Sequence, residues 1–374
     1  GVALKLLTAL IEKMGASQEL ILDLMDLAAL GTSADLVPLK DENRIIVHYG
    51  LKALRMTHRC GLRELLKVAK VDIDRDLSVS QVIFHVAPRI NAAGRLGDAN
   101  RSVELLTTVD SHRAIELAHE LDQENKRRQR IQQSALDDAI LKVNSVVNLE
   151  RDKAIILGSR SWHSGIVGIM ASKVKEKFNR PAIIISFDEE GNGKGSARSI
   201  KGLNLYDALS FTQEHLETYG GHAMAAGLAI QESNLDEFQN AFLSYADSIL
   251  NQDDLVPSIF LDGTIQLADI NQRFMYFMKK LGPYGPGNMR PKFALMNVKV
   301  LGDPKVIGNG YHIRFQVKQN RSSIPVIGFG LSEYYQELIR GQPVDIAGVV
   351  EINVWKGKES IQINAWDIRL SSSV

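Results

Sequence analysis

Apolar and polar positions follow a helical period over much of the first 150 residues. From residue 1 to about 70 the pattern predicts short amphipathic helices, interrupted by a polar run around Pro38. From Ser111 to about Val146 the helical period continues without a break through a polar stretch centred on "DQENKRRQR". A stretch of this kind is typical of a solvated helix that bridges two lobes.

Between these helical regions lies "VIFHVAPRINAAGRLGDANRSVELL" (82–106), for which we predict a dense loop. The stretch brings Arg89, Asn91 and Arg95 close together in sequence, beside two glycines. Glycines allow a loop to adopt unusual backbone angles, and arginine guanidinium groups bind phosphate through paired hydrogen bonds. The loop is therefore a candidate for holding a phosphate between its side chains, which we call a phosphate clamp. The alternative is a structural turn that is held by buried arginine–carboxylate pairs.

The pattern changes to that of buried strands at residues 153–186. An apolar run, a glycine-punctuated loop, a helix and the run "AIIIS" predict a βαβ unit at the start of an α/β domain. The loop "SRSWHSGIVGI" places His163 where a strand meets a helix, and backbone N–H groups can approach an anion there. The alternative is an ordinary βα turn with a structural histidine.

Two further polar groups follow in the same α/β domain. Ser196 and Arg198 are two residues apart in "GKGSARSIKG", so an extended segment would put both on one face. A hydroxyl beside a guanidinium suits a terminal phosphate. His222 lies among small residues in "YGGHAMAAGL", which leave space for a ligand. Each of these groups alone is more typical of a structural position, but together with the His163 loop they predict an anion-binding pocket.

After about residue 255, short alternating strands with one helix among them predict a small barrel of the oligonucleotide-binding (OB) type. The glycine- and proline-rich "LGPYGPGNMRPKF" carries Tyr284 and Arg290. Aromatic rings interleaved with cations are typical of surfaces that bind single strands, and the alternative is a solvated barrel surface. The barrel's other candidates for such a surface are Tyr311, Arg314, Lys318, Trp355, Lys356 and Lys358.

Composition narrows the class of protein only slightly. The 374 residues include 44 basic and 44 acidic side chains, so any attraction to nucleic acid is local. A single cysteine excludes a disulfide framework and a cysteine-based zinc site, and no apolar run is long enough to span a membrane. We therefore expect a soluble, cytoplasmic protein without a membrane partner. Asp35, which follows an apolar segment, would hold Mg²⁺ or Mn²⁺ if it ended a strand; otherwise it is a helix N-cap or a loop residue.

The chain resembles the RecJ family of bacterial single-stranded-DNA exonucleases, a branch of the DHH phosphoesterases. Six motifs carry the resemblance in this order: "ALGTSADLVPL", "APRINAAGRLGDA", "SWHSGIVGIMAS", "GSARSIKGLNLYDAL", "GGHAMAAGL" and "LGPYGPGN". The resemblance covers essentially the whole chain and implies a multidomain α/β fold. Its parts would be the helical C-terminal part of a DHH catalytic domain (1–110), a connecting helix (111–148), an α/β DHHA1 domain (149–252) and an OB-fold barrel (253–374).

The resemblance also implies a function, which is metal-dependent 5′→3′ hydrolysis of single-stranded DNA to 5′-mononucleotides in recombination and repair. It implies Mn²⁺ or Mg²⁺ as cofactor, and single-strand-binding protein and a RecQ-type helicase as partners. Asp35 would be a metal ligand and, with His222, catalytic. The residues expected to bind the 5′ phosphate and the DNA are Ser196, Arg198, Arg89, Asn91, Arg95, His163, Tyr284 and Arg290.

One departure from the family pattern limits this expectation. The family's first three motifs, with most of the metal-binding aspartates, would lie upstream of Gly1, so we expect the 374 residues alone to lack nuclease activity. Two other functions stay open at this point. One is a non-catalytic module that binds single-stranded DNA. The other is a DHH-type phosphodiesterase of short oligonucleotides or cyclic dinucleotides, against which the barrel argues.

Overall fold

The computed structural model describes residues 1–96, 98–355 and 357–371, with only the backbone of Arg95, Leu96 and Trp355. Contacts divide the chain into two units, each made of separate segments. The barrel unit comprises Gly1–Thr57, Ile73–Ile83 and Ile259–Val374, and the sheet unit comprises His58–Asp72 and Phe84–Ser258. The four segments expected from the family resemblance stay a prediction about domains. In the part of the chain that the structure describes, no helix is both long and apolar enough to cross a membrane.

The helices are α1 (Val2–Met14), α2 (Glu19–Asp23), α3 (Met25–Ala34), α4 (Asp41–Arg55), α5 (Cys60–Val68), α6 (Val79–Gln81), α7 (Ala87–Leu96), α8 (Asn100–Thr107), α9 (Ser111–Val146), α10 (Val167–Phe178), α11 (Leu205–Phe211), α12 (Leu235–Ile249), α13 (Gln272–Leu281) and α14 (Tyr335–Leu338). The strands are β1 (Ile155–Ser159), β2 (Ala182–Phe187), β3 (Asn192–Arg198), β4 (Thr218–His222), β5 (Ala225–Gln231), β6 (Gly263–Thr264), β7 (Lys292–Ile307), β8 (His312–Gln319), β9 (Ser322–Gly328), β10 (Val344–Trp355) and β11 (Lys358–Leu370).

The sheet unit is built on five strands in the order β1-β2-β3-β5-β4. β1 and β2 are parallel and joined through α10, as the predicted βαβ unit requires, and the other neighbours are antiparallel. One face packs against α10 and the C-terminal half of α9, and the other packs against α11 and α12 through side chains such as Phe238 and Phe242. Because helices cover both faces here, every residue of β2 is buried.

The predicted long helix is present as α9, whose 36 residues span about 54 Å at 1.5 Å per residue. It begins after Asp110, whose carboxylate accepts a hydrogen bond from the N–H of His112 (2.8 Å). Its N-terminal half packs against α5, α7 and α8, and its C-terminal half packs against β1 and α10. Buried positions such as Leu117 and Val143 therefore make α9 part of two cores. It is less solvated than its polar composition predicts.

The prediction of a loop at residues 82–106 is wrong, because this stretch is helical. A π-helical turn (Val82–Val86) leads into α7, and α8 follows. Pro88 lies in the first turn of α7, where a missing N–H costs no intrahelical hydrogen bond. The proline and the glycines hide the helical spacing of apolar residues such as Ala92, which is fully buried.

In the barrel unit, helices α3 and α4 approach each other closely at Gly50. A Cβ atom there would overlap the Cβ of Ala29 and the carbonyl oxygen of Met25, so no other residue type fits. Helix α4 is also tied to α13, because the Arg44 guanidinium donates hydrogen bonds to the carbonyl oxygen of Leu281 (2.9 Å). This contact satisfies a C-terminal carbonyl of α13 and fixes the start of the loop that carries Tyr284.

Strands β7 to β11 form the closed barrel that the alternating pattern predicts. Their order is β10-β11-β9-β8-β7, and a further pairing of β10 with β7 closes the ring. The two-residue strand β6 adds to β7 in parallel. Inward-facing apolar residues fill the interior, among them Leu295, Val298, Ile313, Val317 and Ile363. The multidomain α/β architecture with an OB-type barrel is therefore confirmed.

Candidate nucleic-acid interface

Three neighbouring strands of the sheet unit carry the predicted phosphate-binding residues in register. Arg198 on β3 is paired with Ala225 on β5, which is in turn paired with His222 on β4. Two positions before Arg198, Ser196 is paired with Gly227. Because directly paired residues of an antiparallel ladder point to the same face, Ser196, Arg198 and His222 share one face of the sheet.

The surface between these side chains is nearly bare. We call Gly220, Ala225 and Gly227 the small-residue floor; both of its glycines are exposed. A Cβ atom at Gly220 would meet no described atom within 4 Å, and one at Gly227 would meet only the carbonyl oxygen of Gly195, at 3.9 Å. Gly221 is different, because its φ of 149° and the nearby backbone exclude a side chain. Local packing therefore explains why position 221 is a glycine, but it does not explain the two glycines of the floor.

The start of α10 borders the floor on the β3 side. A Cβ atom at Gly168 would lie 3.3 Å from both Arg198 Nη2 and Ser196 Oγ, so the absent side chain lets the helix approach them. Arg198 Nη1 donates to Ser196 Oγ (2.9 Å) and to the carbonyl oxygen of Ala197 (2.8 Å). A guanidinium and a hydroxyl are thus held beside the first turn of a 12-residue helix. All three features favour an anion.

Two exposed histidines offer hydrogen-bond donors from the same unit. Nδ1 of His222 accepts from the N–H of Met224 (3.3 Å), and Nδ1 of His163 accepts from the N–H of Gly165 (2.9 Å). A neutral ring whose Nδ1 accepts carries its proton on Nε2, so each ring presents an Nε2–H donor. The turn with His163 is anchored by buried Trp162, whose Nε1 donates to an acidic side chain of α9.

Arg89 serves a structural role. Its guanidinium Nε lies 2.9 Å from Asp122 Oδ1, Nη2 donates to the carbonyl oxygen of Val68 (3.2 Å), and Nη1 donates to that of His85. The side chains of Arg89 and Asp122 are only 14% and 9% exposed. Burial alone would raise the pKa of Asp122, but Lys126 and Arg89 together lower it. Of the two interpretations of this arginine, the structure contains the buried arginine–carboxylate pair, and a role in holding a phosphate stays a prediction.

Comparison with known proteins identifies two domains of the chain. The DHHA1 domain model matches residues 151–248, and the RecJ OB domain model matches residues 261–367. A relative from Bacillus subtilis (strain 168), named single-stranded-DNA-specific exonuclease RecJ, is 39% identical over 99% of this chain and 46% of its own length. A relative of the same name from Thermus thermophilus is 32% identical over 99% of this chain and 51% of its own length. The chain is similar to RecJ exonucleases over nearly its whole length.

A solved structure shows the same similarity. The crystal structure of RecJ from Thermus thermophilus in complex with Mg²⁺ superposes with a TM-score of 0.84 at 31% identity. The match covers 100% of this chain and 56% of that chain. A second structure of the same protein, in complex with Mn²⁺, gives a TM-score of 0.85. The chain spans about half the length of the curated RecJ relatives from Bacillus and Thermus.

Asp35, the predicted metal ligand, lies at the C-terminal end of α3. The prediction that Asp35 follows a strand is therefore wrong, since the apolar segment before it is helical. The N–H of Asp35 donates to the carbonyl oxygen of Gly31 (3.1 Å), as in a helix. Among the described residues, no three His, Cys, Asp or Glu side chains come together as a metal-binding group. One carboxylate does not fit a centre that holds two ions about 3.5–4 Å apart.

Tyr284 and Arg290 contact each other in the barrel unit. The guanidinium carbon of Arg290 lies 5.1 Å from the centre of the Tyr284 ring, and Arg290 Nη1 lies 3.8 Å from Glu351 Oε2. The Tyr284 hydroxyl donates to the carbonyl oxygen of Met278 in α13. Burial raises the pKa of Tyr284. The ring is thus engaged within the protein, while Arg290 stays partly exposed.

The structure gives less detail about the remaining residues that were expected to bind DNA. Asn91 is exposed on α7, so it does not belong to a loop as predicted. Arg95 lies on the same helix, but its side chain is outside the described residues, as are Gly97, Lys356 and the side chain of Trp355.

The site also contains small residues from the motifs that the sequence analysis singled out, in positions that it did not predict. Gly168 borders the Ser196 and Arg198 pair, and the small-residue floor separates that pair from His222. A signal for the floor was present in "AAGLAIQ", where Ala226, Leu228 and Ile230 alternate with smaller or polar residues. These three residues are buried, as the period of a half-exposed strand predicts.

Proposed function

We propose that this chain holds the 5′-phosphorylated end of single-stranded DNA for a metal-dependent 5′→3′ exonuclease that releases 5′-mononucleotides. The observation that carries the proposal is the row formed by Arg198, Ala225 and His222 across three strands, with the first turn of α10 beside it. The names of the relatives, single-stranded-DNA-specific exonuclease RecJ, support the substrate class.

In this proposal the terminal phosphate lies against Arg198, Ser196 and the N-terminal turn of α10. The guanidinium supplies charge and paired donors, and the hydroxyl adds a further donor. The exposed glycines of the small-residue floor let the sugar–phosphate chain lie directly on the sheet. His222 then donates from Nε2 to the phosphodiester that follows, and His163 is a second donor at the edge of the site.

Anchoring the end of the strand accounts for both features of the proposed reaction. A phosphate at the terminus is recognised only when the strand presents a 5′ end, and the next phosphodiester is then held at a fixed spacing. Binding energy used in this way positions the reacting bond, which is a major source of rate enhancement. His222 is therefore proposed as the residue of this chain that contacts the phosphodiester to be cleaved.

The metal and the protein partners belong to the proposal as well. The Thermus RecJ structures were solved in complex with Mg²⁺ and with Mn²⁺, and we propose the same class of ion here, with Asp35 as one ligand. Asn91, Arg95, Tyr284 and Arg290 are proposed along the DNA path. Single-strand-binding protein and a RecQ-type helicase stay expectations from the family resemblance.

A second candidate is a non-catalytic module that binds single-stranded DNA. It is favoured for the 374 residues by themselves, because the described part of the chain brings no cluster of metal-binding side chains together. We therefore propose that the chain on its own binds 5′ ends without cleaving them. The phosphodiesterase of short oligonucleotides is disfavoured, because a complete OB-type barrel suits an extended strand.

The proposal predicts that Arg198→Ala abolishes the preference for a 5′ phosphate. Charge-assisted hydrogen bonds contribute roughly 1.5–3 kcal/mol, so the unmodified chain should bind a 5′-phosphorylated oligo(dT) about tenfold to a hundredfold more tightly than its 5′-hydroxyl counterpart. The variant should bind both equally. Fluorescence anisotropy with the two oligonucleotides measures the ratio.

Arg151→Ala is the matched control for this experiment. Arg151 is 78% exposed in the same unit and is paired only with its neighbour Asp152 among the described residues, so its loss should leave the ratio unchanged. If Arg198→Ala weakens binding of both oligonucleotides by the same factor, Arg198 does not hold the terminal phosphate, and the proposed anchor is wrong.

A further inference from the structure

A buried tryptophan ties the turn that carries His163 to the long helix α9. We call residues 160–166 the His163 turn. Trp162 is 3% exposed, and its Nε1 donates a hydrogen bond to Oδ2 of Asp138 on α9 (2.8 Å). Its carbonyl oxygen accepts a hydrogen bond from the hydroxyl of Ser186, which is buried near the end of β2. Both polar ends of the tryptophan are therefore fixed, one by a helix and the other by a strand.

A second residue of α9 contacts the same tryptophan. Lys142 lies one helical turn after Asp138, and its Nζ is 4.8 Å from the centre of the Trp162 ring and 3.7 Å from Asp138 Oδ2. The same Nζ donates to the carbonyl oxygen of Gly158 near the end of β1 (3.5 Å). Helix α9 therefore contacts this connection twice, where the chain leaves β1 and again at Trp162.

Only a few residues separate the tryptophan from the proposed phosphate site. The N–H of Ile166, the residue before α10, donates to the carbonyl oxygen of His163 (3.0 Å). In the first turn of α10, a Cβ atom at Gly168 would lie 3.3 Å from both Arg198 Nη2 and Ser196 Oγ. Because the helix and β3 approach each other so closely here, a small displacement of the His163 turn changes the distance between the helix N-terminus and the guanidinium.

An anion site depends on distances of this kind. The first N–H groups of an α-helix have no acceptor within the helix, and they can bind an anion together with a neighbouring guanidinium. Charge-assisted hydrogen bonds are strong at about 2.7–2.9 Å and weaken when donor and acceptor move out of line. One phosphate can therefore accept from both groups only if the first turn of α10 stays at a fixed separation from Arg198.

We propose that Asp138 is a positioning residue for the 5′-phosphate site. It acts through Trp162 rather than by contact with the strand, because it holds the His163 turn and thereby the first turn of α10 in place. The inference rests on the proposed function for the identity of the ligand. The N-terminal half of α9 packs against α5, α7 and α8, so one continuous helix links the phosphate site to the other end of the sheet unit.

The decisive variant is Asp138→Ala, which leaves the buried Nε1–H of Trp162 without its acceptor. The preference for a 5′-phosphorylated oligo(dT) over its 5′-hydroxyl counterpart should fall about fivefold, because the donors around the phosphate lose their alignment. Affinity for the 5′-hydroxyl strand should stay the same. Fluorescence anisotropy measures both affinities at a temperature where circular dichroism shows that the variant is folded. A role in stability alone would lower Tm but would leave this ratio unchanged.

A conservative variant and a neighbouring residue provide the controls. Asp138→Asn should restore the ratio, because its amide oxygen still accepts from Trp162 although the charge is lost. Asp137→Ala removes the same charge from the next position of α9, where the exposed carboxylate accepts from Gln133 (2.8 Å), and it should leave the ratio unchanged. If Asp138→Ala keeps the full ratio, or if Asp138→Asn lowers it equally, the hydrogen bond to Trp162 does not position the site and the inference is overturned.

Hydrogen exchange tests the same contact without DNA. The N–H groups of Gly165 and Ile166 donate within the His163 turn, and in Asp138→Ala they should exchange about tenfold faster, while those of β2 should not change. Unchanged exchange in the turn would overturn the inference, whatever Arg198→Ala does to binding. If instead the unmodified chain shows no preference for a 5′ phosphate, the proposed function fails, and faster exchange in Asp138→Ala still shows that α9 positions the turn.

Discussion

Gly227→Val is expected to lose binding to 5′-phosphorylated single strands while the sheet stays folded. Gly227 lies on β5, directly paired with Ser196, and it is exposed with open space above its Cα atom. Its backbone angles suit any residue, and valine favours strands. A branched side chain here would occupy the small-residue floor and keep the terminal nucleotide from Ser196 and Arg198. Losing two charge-assisted hydrogen bonds at about 1.5 kcal/mol each corresponds to roughly a hundredfold weaker binding.

Two other glycines of the same hairpin provide the comparison. Gly220→Val should behave like Gly227→Val, since a Cβ atom there meets no described neighbour. Gly221→Val should instead destabilise the sheet unit, because its φ of 149° and the carbonyl oxygen of Ala225 exclude a side chain. Circular dichroism on heating separates the two classes, and anisotropy gives the affinities. A folded Gly227→Val variant that binds as tightly as the unmodified chain would show that DNA does not cross the floor.

Arg89→Ala is expected to destabilise the sheet unit by about 1–3 kcal/mol, because buried acceptors lose their hydrogen-bond donors. The loss is smaller than for an isolated buried charge, since Lys126 Nζ stays 2.7 Å from Asp122 Oδ2. The variant leaves Asp122, whose side chain is 9% exposed, without its contact to the guanidinium. The carbonyl oxygens of Val68 and His85 lose a donor as well. Urea unfolding followed by circular dichroism measures the loss. A destabilisation below about 1 kcal/mol would mean that the pair contributes no more than an exposed one.

The effect of Arg89→Ala should also depend on pH, with a predictable sign. The pKa of Asp122 is lowered from 3.8, because Lys126 and Arg89 outweigh the opposing effect of burial. A carboxyl group with a lowered pKa stabilises the fold above its unfolded value and loses this contribution as pH falls through its folded value. The difference in free energy of unfolding between the unmodified chain and the variant should therefore be largest at pH 7 and should shrink below about pH 3.8.

Arg113→Ala is the matched control for this prediction. Arg113 lies on α9, the helix that carries Asp122, and is paired with Glu104 (2.6 Å), but its side chain is 37% exposed and that of Glu104 is 45% exposed. Exposed ion pairs contribute about 0–1 kcal/mol, so the control should be nearly as stable as the unmodified chain. If Arg113→Ala and Arg89→Ala lower the free energy of unfolding by similar amounts, burial of the ion pair is not the reason for the destabilisation.

Local patterns in the sequence were sufficient for the elements and for part of the site. Strand β2 and helix α10 have apolar spacings that depend only on neighbouring residues, so the βαβ unit was predictable. Ser196 and Arg198 share a face because both lie on β3, which also follows from local spacing. Long helix α9 was predictable for the same reason, whereas its burial depends on partners that are distant in sequence.

Pairings between distant residues were not predictable in this way. The small-residue floor exists because β5 lies between β3 and β4, an order that no single strand specifies. The sequence left two roles open for Arg89, because its partner, Asp122, is 33 positions away and on another helix. Asp35 was placed at a strand end because a short apolar run fits a buried helix equally well.

The division of the chain into interleaved segments has a consequence for how the protein is made on the ribosome. The helices before Thr57 belong with a barrel whose strands are synthesised roughly 200 residues later, while most of the sheet unit comes between them. At 5–20 residues per second, the first helices wait about 10–40 s for their partners. Apolar residues that the finished unit buries, such as Leu39, whose side chain lies against Gly285, are then available to chaperones or to other nascent chains. The sheet unit can be complete before the barrel unit begins to close, so the folding order of the two units follows from the direction of translation.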